Sequence, residues 1–339
     1  MAPLTSVLIV DDEPAVLDLM SRWVTSLGLR PQTASNAAEA LTSLRTHDCD
    51  LAVIDVMMPG HDGLWLASEI QREHPQTAVI VATAYTELLS GDSQHTPIAD
   101  FLIKPFKRER FALAVNRGRQ WRELALEEVH RQAMLSLELR DRTAQLVEAL
   151  QERVAAGATE TDALATLCLE RVPEVASHGE RVARYSLVVA RELDVERALR
   201  PELEIAARFH DVGKLAMPKT LITKPSPLTR GEAAIMRRHV DIGAEILEST
   251  QSLACAASAV RASHEWFQGG GYPLKAAGTN IPFISRLIAI ADAYDAMTQD
   301  RSYRMRLNSS DAVAEILRCS PEQFDPEIVA AFIAVLGRH

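Results

Sequence analysis

The 339-residue chain has little that would staple, anchor or secrete it. Its four cysteines, Cys49, Cys168, Cys255 and Cys319, lie far apart with no paired spacing. That spacing suits reduced thiols in a cytosol better than a disulfide framework or a thiolate zinc site. No uncharged stretch approaches the roughly 20 residues needed to span a bilayer. The first apolar run, Val7 to Val10, is short, lacks a basic flank and a small-residue cleavage pattern, and gives way to Asp11. It does not read as a signal peptide, so a soluble, cytoplasmic protein is expected. Positive charge is also in short supply: 36 Lys and Arg stand against 46 Asp and Glu, a net charge of -10. General affinity for nucleic acid or an anionic membrane is therefore not expected. Internal repeats and low-complexity tracts are missing as well.

What remains divides into parts. The length suits two modest domains, each with its own core. Over residues 1–118, the apolar runs Val7–Val10, Leu51–Ile54, Ala78–Ala82 and Phe101–Ile103 alternate with amphipathic stretches. They read as buried strands of a doubly wound α/β domain with a parallel five-stranded sheet. From 119 to 155 the chain has neither Pro nor Gly, and Leu135, Leu139, Leu146 and Leu150 recur at spacings of four and seven. That predicts a long helical connector able to pair with a copy of itself as a coiled coil in a homodimer, although Arg142 falls in the seam; a solvated helix is the other reading. Residues 156–339 carry helical periods and predict an all-α bundle. Ser177 before Glu180 and Thr229 before Glu232 are spaced as capping boxes, with Ser177 opening a helix at His178. The stretch Gln268–Pro282, rich in Gly and Pro, predicts a loop.

In the first part, Asp11 and Asp12 follow the first strand, Asp55 ends the third, Thr83 ends the fourth, and Lys104 ends the fifth just before Pro105. In an open parallel sheet all of these converge at the carboxyl edge. Grouped carboxylates can hold Mg²⁺ through hard oxygen contacts, and Asp55 is the candidate nucleophile toward a phosphoryl group. Lys104 can pair with the resulting acyl phosphate, and the Thr83 hydroxyl can hydrogen-bond it. A strand-terminal Asp or a lone Lys-Pro means little singly; the joint placement carries the reading. The segments Val10-Asp11-Asp12-Glu13-Pro14, Asp55-Val56-Met57-Met58-Pro59-Gly60, Thr83-Ala84 and Lys104-Pro105-Phe106 resemble the receiver domain of two-component response regulators. The resemblance implies phosphorylation of Asp55 by a cognate sensor histidine kinase, a Mg²⁺ contact from the Met57 carbonyl, and Phe101 as the switching aromatic. One departure is a fourth helix near Glu87–His95 interrupted by Gly91 and Asp92 and closely followed by Pro97.

In the last part, His210-Asp211, His239, His264 and Asp292 are each expected on a helix, the first three toward a helix end, so a bundle can aim them into one core site. Imidazole mixed with carboxylate suits a first-row transition metal, and Asp211 is placed to bridge two ions. A lone His is more often an ordinary polar or core residue, but every histidine of this part except His339 falls in a motif. The ordered series is His178-Gly179-Glu180-Arg181-Val182, His210-Asp211-Val212-Gly213-Lys214, Lys224-Pro225, His239 with Gly243, His264-Glu265, Gly271-Tyr272-Pro273, Ile281-Pro282, Asp292-Ala293-Tyr294-Asp295-Ala296 and Arg301-Ser302-Tyr303-Arg304. It resembles the HD-GYP family across residues 165–339.

The resemblance implies hydrolysis of cyclic di-GMP to linear pGpG or GMP by two transition-metal ions such as Fe or Mn. His178, His210, Asp211, His239, His264 and Asp292 are the implied ligands, and Glu174 the implied extra carboxylate for a third ion. Lys214, Arg301 and Arg304 are implied phosphate-binding residues, and the loop with Gly271, Tyr272 and Pro273 an implied contact surface for a protein partner. Two departures stand out. Ser263 occupies the place of a histidine, which predicts a weakened metal site, and Gln268-Gly269 replaces Asp-Gly. The alternative reading is a weak or inactive output domain that binds cyclic di-GMP or a partner protein.

Overall fold

The computed structural model describes residues 6–47, 49–84, 98–300 and 306–338. The chain divides into two compact units, Met1–Arg131 and Gln132–His339. In the first, β1 (Ser6–Val10), β2 (Arg30–Ala34), β3 (Leu51–Asp55), β4 (Ala78–Thr83) and β5 (Asp100–Ile103) form a parallel sheet in the order β2-β1-β3-β4-β5. β1, β3 and β4 are buried along their whole length, as unbroken apolar runs demand when both sheet faces are covered. β2 shows no such run. It is an edge strand with Pro31 in it and mostly exposed residues, which removes the hydrophobic signal.

The helices α1 (Pro14–Ser26), α2 (Ala37–Thr46) and α3 (Gly63–Glu73) start on local chemistry. Pro14 opens α1, the Asn36 side chain accepts from the Glu39 N–H, and the Asp62 side chain accepts from the Trp65 N–H. The expected interruption near Gly91 lies outside the described residues.

Helix α4 (Arg108–Ala155) is longer than the expected connector, because the receiver's own last helix runs into it without a break. Within the first unit, Arg122 holds Asp50 at 2.5 Å, just before β3. In the second unit, Leu139, Leu146 and Leu150 are buried in that unit's own core, with Leu135 packed against it. The seam read as a coiled-coil face is therefore occupied within the chain. Arg142, which interrupted the seam, donates to the Met217 carbonyl and pairs with Glu138.

The described residues of the second unit hold helices and no strand: α5 (Glu160–Arg171), α6 (Pro173–Glu192), α7 (Arg200–Phe209), α8 (Lys219–Ile222), α9 (Arg230–Arg237), α10 (His239–Glu248), α11 (Ala257–Arg261), α12 (Phe283–Thr298), α13 (Ser309–Cys319) and α14 (Pro326–Leu336). Thr229 and Glu232 form the expected capping box at α9. Ser177 does not cap a helix. Pro173 starts α6, which runs through His178, and the Ser177 hydroxyl donates back to the Pro173 carbonyl one turn earlier. Among the described residues, no helix is long and apolar enough to cross a membrane.

Candidate functional site

At the carboxyl edge of the first unit's sheet, Asp11, Asp12 and Asp55 each offer an oxygen within 4.8 Å of the others. Lys104 Nζ lies 2.8 Å from Asp11 Oδ2 and 2.8 Å from Asp55 Oδ1. Burial pushes the Asp55 carboxyl up from its ordinary value, against the hydrogen bond and charge of Lys104. Burial disfavours the Lys104 ammonium too, but the two carboxylates hold it above its ordinary value. An all-oxygen set with an adjacent ammonium fits Mg²⁺ and an incoming phosphoryl group. Thr83 is buried at the end of β4, Met57 is exposed beyond β3, and Phe101 packs at the rim of the core.

The second unit gathers its residues by a different route. α7 ends at Phe209, so His210 and Asp211 stand at its carboxyl end, and a short 3-10 turn, Val212–Ala216, follows. That turn passes tightly over α10: a Cβ on Gly213 would collide with the His239 carbonyl and the Gly243 nitrogen. Only glycine allows this approach, and it brings Asp211 beside His239. His239 opens α10 rather than closing a helix, His264 follows α11, and His178 and Asp292 lie within α6 and α12.

Two groups result, His178 with His210 and Asp292, and Asp211 with His239 and His264, each with ligand atoms within 4.8 Å of one another. Asp211 faces both. Its Oδ2 is 3.8 Å from His178 Nε2 and 3.7 Å from His210 Nε2, while Oδ1 is 3.3 Å from His239 Nε2. The nitrogens that face inward are chosen by what holds the opposite side of each ring. His210 Nδ1 donates to the Ala207 carbonyl at 2.9 Å, and His239 Nδ1 to the Met236 carbonyl at 2.8 Å. His178 Nδ1 is held by Asp295 at 2.7 Å.

The set fits metal. The Nε2 atoms of His210, His239 and His264 and Asp211 Oδ1 are buried without a hydrogen-bond partner, a costly arrangement for groups that only a cation or proton would satisfy. Burial lowers the His210 ring and pushes His264 down to about 4, leaving neutral donors. Burial opposes ionisation of Asp292, yet the His178 hydrogen bond and neighbouring imidazoles hold its carboxyl well below the usual range. Asp211 behaves likewise, with Lys214 the leading counter-charge to burial; Lys214 Nζ lies 2.5 Å from Asp211 Oδ2.

Glu174 is exposed, one turn before His178 on α6, and outside both groups. Ser263 is buried, but its hydroxyl donates to the Val260 carbonyl at 2.8 Å and joins neither group. Arg301 and Arg304 lie outside the described residues. Gly271 is buried, and the ring of Tyr272 lies parallel to His264 with centroids 5.2 Å apart. Asp295 has no expected role from its motif alone, although it stands three residues after Asp292 on α12, a spacing that places both on one face.

Residues 7–116 match the response regulator receiver domain family, and residues 162–328 match the HD domain family. A cyclic di-GMP phosphodiesterase of Thermotoga maritima is 30% identical over 337 residues, covering 97% of this chain and 89% of that protein. The cyclic di-GMP phosphodiesterase response regulator RpfG of Xanthomonas campestris pv. campestris is 28% identical over 335 residues, covering 97% of this chain and 87% of that protein. A 3'3'-cGAMP-specific phosphodiesterase 2 of Vibrio cholerae is 34% identical over 197 residues, covering 58% of this chain and 35% of that protein. With a receiver followed by an HD domain, and with similarity to such a phosphodiesterase along nearly its whole length, the chain belongs to the response regulators of the HD-GYP, cyclic di-GMP phosphodiesterase family.

Proposed function

We propose that this chain is a metal-dependent phosphodiesterase of the cytoplasm that hydrolyses cyclic di-GMP to pGpG or GMP under control of phosphorylation at Asp55. The observation that carries the reading is the pair of buried ligand groups with Asp211 between them. His178, His210 and Asp292 would hold one transition-metal ion, and His239 and His264 a second, with Asp211 shared. Ions bound there supply Lewis-acid charge and an activated water for attack on phosphorus. The chain's own residues do the rest. Asp295 and the Ala207 and Met236 carbonyls keep three imidazoles aimed inward. Lys214, partly exposed beside Asp211, is placed to orient the phosphodiester and to offset the charge that develops on it. Arg301 and Arg304 join it on the strength of the family resemblance.

Domain limits of 1–118, 119–155 and 156–339 belong to the same proposal, with Mg²⁺ at Asp11, Asp12 and Asp55, a sensor histidine kinase as phosphodonor, and a homodimer as the working form. A binding-only output domain is the second reading. It is favoured by Ser263, whose hydroxyl is already committed to Val260. Turnover of cyclic di-GMP by the purified full chain, with metal content measured on the same sample, separates the two. Two equivalents of metal with hydrolysis that disappears in Asp211→Ala support the enzyme; binding of cyclic di-GMP without hydrolysis at full metal occupancy overturns it. Parallel turnover of 3'3'-cGAMP fixes which cyclic dinucleotide is preferred.

A further inference from the structure

Three of the four imidazoles at the proposed metal site are oriented by a hydrogen bond from Nδ1, as described above. His264 has no such bond among the described residues. Its Nε2 is buried and unpartnered, and its ring touches two others: His239, edge-on at 5.0 Å, and Tyr272, parallel at 5.2 Å with an interplanar angle of 9°. An imidazole can lie flat on an aromatic face only while that face stays in place, and Tyr272 belongs to a Gly- and Pro-rich loop with no helix to hold it.

What holds the loop is Glu265. Its side chain is buried, and Oε1 accepts from two successive backbone amides, Leu274 N–H at 2.6 Å and Lys275 N–H at 3.1 Å. Lys275 sits at φ +54°, a strained conformation for a residue with a side chain, which marks a turn imposed by its surroundings. At the other end of the loop, the Tyr272 N–H donates to the His264 carbonyl at 3.2 Å. A Cβ on Gly271 would collide with the backbone of Glu265 and Trp266, so the two arms lie directly against each other. Outside the stack, the Arg237 guanidinium covers Tyr272 at 5.1 Å from the ring centroid. The chain thus runs from ligand to clamp in one residue, His264 to Glu265, and returns to stack on the ligand seven residues later.

We infer that Glu265 is a positioning residue which, by clamping the Leu274 and Lys275 amides, seats Tyr272 on His264 and so sets the imidazole for metal binding. The inference rests on the metal-site reading above. Removing the clamp acts on the group of Asp211, His239 and His264 and leaves the group of His178, His210 and Asp292 intact. Losing an outer-shell partner of this kind lowers metal affinity by about tenfold to a hundredfold.

The test is Co²⁺ titration of the metal-free full chain, read by visible absorption, for wild type, Glu265→Ala, Glu265→Gln, Tyr272→Leu and His264→Ala. His264→Ala identifies the equivalent that belongs to this group. Glu265→Ala is expected to bind one equivalent as tightly as wild type and the other at least about tenfold more weakly. The retained tight equivalent also shows that the unit is folded. Glu265→Gln keeps an oxygen facing both amides and is expected to bind both equivalents within about twofold of wild type. Tyr272→Leu leaves the clamp untouched, removes the stacked ring, and is expected to reproduce Glu265→Ala. Wild-type affinity for both equivalents in either Glu265→Ala or Tyr272→Leu overturns the clamp and leaves the metal site standing. A wild type that binds no Co²⁺ at the His264 group overturns the metal reading itself, and the clamp with it.

Discussion

Asp295 Oδ2 lies 2.7 Å from His178 Nδ1, and the same carboxylate takes both the Nε and an Nη of Arg181 at 2.6 and 2.8 Å. Asp295 is buried, so its charge is tolerable only because the guanidinium and the imidazole face it. With Nδ1 so held, His178 Nε2 lies 3.0 Å from Asp292, within the first candidate ligand group.

Replacing Asp295 with Asn keeps the shape and removes the charge. The expected outcome is a fall in metal affinity of about tenfold or more at the His178, His210 and Asp292 group, with the other group unaffected. Calorimetric metal titration of Asp295→Asn against wild type measures it, and unchanged affinity would show that backbone packing alone orients the ring.

The same contacts set a pH dependence. Burial works against the charged His178 ring, but hydrogen bonds with Asp292 and Asp295 push it up to about 9. In the metal-free chain that ring is protonated at neutral pH, and metal must displace the proton. Metal affinity of this group should rise with pH from about 7 and level off above about 9, by at most about tenfold per pH unit. His210 and His264, lowered by burial, add no proton there. Stability of the metal-free chain runs the other way. Because the folded value exceeds the ordinary 6.5, this contribution is full below 6.5 and is lost as pH rises through about 9. Titrations at three pH values check the first claim; a flat profile contradicts it.

In the first unit, Asp55 ends β3 between Asp11, Asp12 and Lys104. Incubation of the full chain with acetyl phosphate and Mg²⁺ should add one phosphoryl group, seen by intact mass, and Asp55→Ala should add none. Labelling that persists in the variant would move the acceptor to another carboxylate.

How much of this was legible depended on what each element needs from its residues. β1, β3 and β4 are buried on both faces and announce themselves as apolar runs, whereas edge strand β2 keeps mostly exposed residues and a proline. The candidate ligand residues stand in short motifs, and the structure brings six of them together. Helix phase at those motifs was harder. Ser177 has the spacing of a cap, but Pro173 opens the helix a turn earlier, so the hydroxyl ends up inside α6. Asp295 and Glu265 stand inside the motifs without an evident role, because their partners lie more than a hundred residues away or across a loop and spacing alone does not name them.

The leucines of α4 illustrate the same limit and yield a prediction. Their spacing fits a coiled-coil seam, yet Leu146 is buried among residues of its own unit. Leu146→Ala should destabilise the second unit by about 2–5 kcal/mol, seen as an earlier unfolding transition in urea. Self-association measured by sedimentation should not weaken selectively. A variant that stays fully stable but dissociates would return the seam to the dimer.

Ser263 stands where the family resemblance leads one to expect a second histidine. Its hydroxyl donates to the Val260 carbonyl in the turn that ends α11, and the side chain is buried there rather than grouped with His239 and His264. A neutral hydroxyl is a weak metal donor, and this one already has a partner. Ser263→Ala therefore removes a buried hydrogen bond, at a cost of about 1 kcal/mol, without removing a ligand. Metal content after dialysis and turnover should both stay within about twofold of wild type. Asp211→Ala should lose both, because Asp211 faces the two groups at once. A Ser263→Ala variant that keeps its fold but sheds one equivalent of metal would show that the hydroxyl leaves Val260 to coordinate, and the ligand set would then include it.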